Sequence, residues 1–79
     1  MQRFNYQRIE HRGLWLSTFP EFEPVSQRIE RGDYRSLIVG SGLTIRYQGR
    51  LLAKCRGFSS VEQALTWGKN KIDAIVDSL

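Results

Sequence analysis

The fourteen residues from Leu43 to Arg56 constrain the fold most. Leu43-Thr44-Ile45-Arg46-Tyr47 and Leu51-Leu52-Ala53-Lys54-Cys55-Arg56 flank a break at Gln48-Gly49-Arg50 and read as the two strands of a β-hairpin. Side chains on a strand alternate between two faces, so the pairing register decides which residues share a surface. With Gln48, Gly49 and Arg50 as a three-residue loop, Tyr47 faces Leu51. One face then carries Leu43, Ile45, Tyr47, Leu51, Ala53 and Cys55, and the other carries Thr44, Arg46, Leu52, Lys54 and Arg56, with Arg50 at the loop. The commoner two-residue Gln48-Gly49 turn puts Leu52, Lys54 and Arg56 on the face of Leu43 and Ile45. Burying two charges there without partners costs more than the favoured loop recovers. The three-residue loop is therefore the expected register, with a hairpin that is apolar behind and basic in front.

The chain's net charge of +4 equals that of this hairpin, which holds four cations and no acid. Residues 1–40 carry six arginines against five acids, whereas residues 41–79 carry six cations against three acids. The excess is a patch. A sequence pI near 9.7 permits contact with nucleic acid without requiring it.

Behind the hairpin a helix is expected. Ser59 followed by Glu62 matches a capping box, and Val61, Leu65, Gly68, Ile72, Ile75 and Leu79 recur at helical spacing to give one apolar stripe. Gly68 in that stripe permits close approach to a sheet, at a propensity cost of about 1 kcal/mol relative to alanine. Trp67 falls on its flank.

The first half is less regular. Arg3 to Ile9 reads as a strand, His11-Arg12-Gly13 as a turn and Leu14 to Thr18 as a second strand. Pro20 and Pro24 mark a loop, an edge or the run-in to a helix. Pro24 to Arg31 fits either a short helix, with Pro24 in its first turn and Gly32 closing it, or a strand, and strand or irregular structure is preferred because so short a helix is marginal alone. Asp33 starts a turn, Tyr34 to Val39 reads as a central strand, and Gly40-Ser41-Gly42 as a tight reversal into the hairpin.

These elements define the expected fold class: α+β, a single domain over residues 1–79, with an antiparallel sheet of four to five strands and one C-terminal helix packed on one face. At 79 residues one small core is all the chain can build. A single cysteine excludes an intrachain disulfide or a multi-thiolate metal site and suits a reducing, cytoplasmic setting. No apolar run approaches bilayer length, so no membrane partner is expected.

Candidate chemistry is sparse. His11 is the only histidine and reads as a surface residue in a turn, not as the base of a triad. Glu21 and Glu23 alternate as a carboxylate pair would, and equally as charges that protect a strand edge. Cys55 sits among apolar neighbours, where a thiol behaves as a small hydrophobe. Trp15, Trp67 and Tyr6 are candidates for stacking platforms, interface anchors or core-rim filler. No cofactor or metal is implied, and no enzyme. The basic hairpin face remains: Arg46, Lys54 and Arg56, joined by Arg50, can hold phosphates or an acidic protein surface, or simply keep the sheet solvated.

The stretch Lys54 to Trp67 resembles the strand-to-helix junction of three-strand-plus-helix DNA-binding modules, namely the arm-binding N-terminal domains of phage-type integrases and AP2-like domains. Gly57, Phe58, Ser59, Glu62, Ala64 and Trp67 carry the likeness, over about a fifth of the chain. In those modules the sheet face away from the helix reads the major groove, which implies the same role for Arg46, Lys54 and Arg56. Two functions are thus expected, a non-catalytic module contacting nucleic acid or a phage- or accessory-type adaptor or inhibitor docking on an acidic partner, as a monomer or a homodimer.

Overall fold

A computed structural model describes residues 3–32 and 37–79. Six elements follow one another: β1 (Arg8–His11), β2 (Leu14–Phe22), α1 (Val25–Arg31), β3 (Ile38–Tyr47), β4 (Arg50–Phe58) and α2 (Val61–Asp77). The four strands form one antiparallel sheet in chain order, and α2 lies across one face, as the α+β expectation requires. The expected turn at Asp33 and the start of a strand at Tyr34-Arg35-Ser36 lie outside the described residues.

Both hairpins turn through two residues with left-handed backbone. Arg12 and Gly13 have φ of 55° and 85°, and Gln48 and Gly49 have φ of 49° and 80°, the geometry that matches strand twist. Tyr47 therefore pairs with Arg50, not Leu51, and the three-residue loop is corrected. The charge-burial argument against the short turn fails because β4 absorbs one residue. Arg46 pairs with Leu51 and Ile45 with Ala53, so the extra residue, Leu52, forms a bulge that resets the alternation. Ala53 and Cys55 thereby stay on the side of Ile45 and Leu43, and Lys54 stays opposite Thr44. Leu51 and Leu52 exchange their expected roles: Leu51 pairs with Arg46, and Leu52 lines a groove beside α2.

β2 runs further than expected, through Pro20 to Phe22. It can include a proline because β1 pairs with it only from Leu14 to Ser17, leaving Pro20 on a free edge where no amide donor is needed. β1 itself begins at Arg8, later than expected, although Gln7 still bonds to Thr18. Gly40-Ser41-Gly42 is not a reversal but part of β3, paired with Phe19, Pro20 and Glu21.

The core is small: Leu16, Leu43, Ile45, Ala64 and Ile72 are buried, with Ile9, Leu14, Ala53, Phe58, Leu65 and Val76 packed around them. The α2 stripe is rotated from the expected one. Its centre is Ala64, Gly68 and Ile72, while Ile75 and Leu79 are exposed. Gly68 is required, since a Cβ there would lie 2.6 Å from Leu43 Cδ2 and 2.8 Å from Leu16 Cδ2. The helix cap is shifted by one residue. Ser60 accepts from the Gln63 amide at 3.1 Å, and Gln63 Oε1 accepts from the Ser59 amide at 2.6 Å.

Residues 25–31 form a helix, correcting the strand or irregular preference. Pro24 precedes it and Gly32, at φ 73°, closes it, yet none of its residues is buried. Glu23 and Arg31 hold it by a two-pronged ion pair, with N–O distances of 2.6 and 2.5 Å.

Candidate functional site

The alternation that turns Leu14 and Leu16 towards the core turns Trp15, Ser17, Phe19 and Glu21 of β2 to the face that α2 leaves open. Register brings Arg8 and Glu10 of β1 beside Ser17 and Trp15, and Thr44 and Arg46 of β3 on the other side. Lys54 follows opposite Thr44. Arg56 shares a second bulge with Gly57, whose φ of 92° suits glycine, and the two residues stand opposite Gly42.

The glycines of β3 shape this face. A Cβ on Gly42 would overlap the Phe19 ring, which extends across β3 where a side chain would otherwise stand. It thereby reaches β4, where Lys54 Nζ is 5.2 Å and Arg56 Cζ 5.9 Å from its centroid. Arg8 Cζ lies 4.4 Å from the Trp15 ring centroid. These are cation–π distances, so two half-buried rings are each bordered by cations. Glu21, opposite Gly40, likewise reaches across β3, and its Oε1 accepts the Gly57 amide at 2.5 Å. Glu21 is thus engaged with the bulge that positions Arg56.

Of the four residues expected at the site, Arg46, Lys54 and Arg56 share the open face. Arg50 does not join them, because pairing with Tyr47 places it at the hairpin tip on the parity of Ile45 and the helix side. Sequence reasoning missed Arg8 and Phe19. The period-two run Trp15, Ser17, Phe19, Glu21 was the available signal, and ending the strand at Thr18 on account of Pro20 concealed it. Trp15 belongs to this site. Trp67 lies in the other layer, 5.5 Å from Phe58, and Tyr6 packs edge-on to Phe4 at 4.9 Å.

Three other sequence candidates take structural roles. Glu21 and Glu23 do not form a carboxylate pair: Glu23 is buried and faces Arg31, whose hydrogen bonds hold its pKa below the ordinary value. His11 is half-buried, and its Nε2–H donates to Asp73 Oδ1 at 2.7 Å, which depresses the Asp73 pKa. Arg12 adds bonds to Asp73 and Asp77 at 3.3 and 2.9 Å, so the first hairpin turn grips the C-terminal half of α2. Cys55 is half-buried on the helix side. Among the described residues no helix is long and apolar enough to cross a membrane.

No protein-family model, curated protein or solved structure matches the chain.

Proposed function

We propose that the chain is a non-catalytic binding module of a reducing, cytoplasmic setting, and that its open sheet face contacts nucleic acid. The observation that carries this reading is the grouping on one face of Trp15 and Phe19 with Arg8, Arg46, Lys54 and Arg56. Arg46, Lys54 and Arg56 hold phosphates, Arg8 extends the track to β1, and the rings contact bases or sugars. Arg50 lies past the end of this track and contributes general attraction only. The resemblance of the Lys54–Trp67 junction to integrase arm-binding and AP2-like modules points to the same face, the one of β2, β3 and β4 that α2 does not cover.

An acidic protein surface would also suit the cations, as an adaptor would require. The rings favour nucleic acid, because a base stacks on an aromatic face and a carboxylate does not.

Fluorescence anisotropy with labelled single-stranded and duplex oligonucleotides, at about 50 and about 200 mM salt, tests the proposal. Each phosphate-holding cation removed should lower the logarithmic salt slope by about 0.9 on duplex or about 0.7 on a single strand. Phe19→Ala should weaken single-strand binding without altering that slope. Absence of binding at low salt, or binding unchanged by Arg46→Ala together with Lys54→Ala, would overturn it.

A further inference from the structure

On the layer opposite the basic face, α2 sits over β2 and β3 and makes few contacts with β4. The uncovered flank is a groove of about 410 Å³ whose lining includes Leu14 of β2, Leu52 and Cys55 of β4, and Trp67, Lys71 and Ile75 of α2. Leu52 and Ile75 are about half exposed. Immediately beside the groove runs β4, which among the described residues is the last strand of the sheet and pairs with β3 alone, so its outer backbone N–H and C=O groups meet no other described strand.

An edge strand next to an apolar groove is the arrangement that accepts an added strand, with backbone bonds supplying affinity and the groove selecting alternate side chains. Charge and spacing define the occupant. Trp67, Lys71 and Ile75 are four apart, spanning about 12 Å of helix at 1.5 Å per residue. About four residues of extended chain cover that length, so two side chains of an added strand, roughly 7 Å apart, enter the groove. They must be apolar, and Lys71 excludes a basic one. Side chains that alternate with them emerge on the side of Lys54 and Arg56, on a strand holding Arg50, Lys54 and Arg56 and no acid. A second copy of β4 is disfavoured there, because it sets that cationic strand against itself.

We propose that β4 and the β4–α2 groove form a docking site for an extended acidic peptide segment in which apolar and acidic residues alternate. The segment adds as a fifth strand beside β4, apolar residues against Leu52, Trp67 and Ile75, carboxylates towards Lys54 and Arg56. The apolar groove lies on the opposite surface from the proposed nucleic-acid face, but Lys54 and Arg56 serve both, and Ile75→Glu and Leu52→Glu, which leave those cations in place, distinguish the two readings.

The test is titration of the full chain with fluorescein-labelled peptides of alternating Val and Glu, alternating Val and Lys, and the first composition with its Val and Glu residues in separate blocks. Only the alternating Val/Glu peptide should bind, with the NMR amide signals of Leu52 to Cys55 shifting and exchanging more slowly. Ile75→Glu and Leu52→Glu, both at exposed positions that tolerate a polar side chain, should each weaken it by about tenfold or more, as for a central contact. Arg46→Ala, on the nucleic-acid face and away from the edge, should leave it within about twofold. Equal binding of the Val/Lys or block peptide, no binding of any peptide, or a concentration-dependent dimer covering Leu52 and Ile75 would overturn the proposal.

Discussion

The two helices carry similar local signals and meet different fates. α1 has seven residues, a Pro at its start and a left-handed Gly32 at its end, and it buries none of its side chains: Val25 is 58% and Ile29 69% exposed. α2 has seventeen residues, a reciprocal Ser/Gln cap, and Ala64, Gly68 and Ile72 seated against Leu16 and Leu43. One helix is part of the core and the other is held at its margin by Glu23 and Arg31. α2 has a side-chain cap that α1 lacks, but the larger difference is the apolar face that α2 packs against the sheet.

The strongest way to break this contrast is to empty the core beneath α2. Leu16 is fully buried, and Leu16→Ala should cost about 3 kcal/mol, within the 2–5 kcal/mol typical of such cavities. Denaturant unfolding measures it. A chain with so few fully buried side chains should approach unfolding at body temperature.

Gly68→Ala sharpens the comparison, because helix propensity and packing oppose each other there. Propensity favours alanine by about 1 kcal/mol. The new methyl would meet the δ carbons of two buried leucines at 2.6 and 2.8 Å, and overpacking of this kind typically costs about 1–3 kcal/mol. Net destabilisation near 1 kcal/mol is expected, read from the denaturation midpoint. Gly68→Ala raising stability would mean that α2 is not seated as closely as Leu16 and Leu43 require.

Each helix is also tied to one carboxylate whose pKa the fold depresses, Asp73 within α2 and Glu23 just before α1, and these differ in reach. Hydrogen bonding by His11 lowers Asp73 from its ordinary 3.8, and hydrogen bonding by Arg31 lowers Glu23 from 4.5. In each case the unfolded chain binds the proton more readily, so stability rises with pH through the window between the two states. The contribution is therefore full above the ordinary values and is lost as pH falls through the folded ones. Asp73→Asn should flatten the acid limb of the global stability curve. Glu23→Gln should instead quicken amide exchange in α1 while global stability moves less, since α1 contributes nothing buried.

This division also explains what the sequence disclosed. The helix-backed antiparallel sheet was legible from period-two and helical patterns with the cap signals, because α2 and the hairpin satisfy local and tertiary preferences together. The β3–β4 turn was misread because a bulge at Leu52 cancels the face change that a two-residue turn imposes, and no local rule places that bulge. Gly40 and Gly42 looked like a turn, whereas they are strand residues kept free of side chains for Phe58 and Phe19. Arg46, Lys54 and Arg56 lie on one face of the sheet, where the period-two pattern put them. Arg8 and Phe19 join them only through the pairing of β1 with β2 and of β2 with β3, which are long-range facts. α1 remained ambiguous because none of its residues is buried, so no apolar face selects its conformation.

The smallest expected effect follows from that last point. If α1 is a marginal element, Ile29→Ala should change global stability by no more than about 0.5 kcal/mol, the usual range for a surface substitution, despite removing three carbon atoms from an apolar residue. The same truncation at Ile72, 1% exposed, should cost several times more, within about 2–5 kcal/mol. Urea unfolding of the two variants side by side measures the ratio. A cost at Ile29 near that at Ile72 would show that Val25 and Ile29 are covered in solution, which for a face this exposed requires association with another surface.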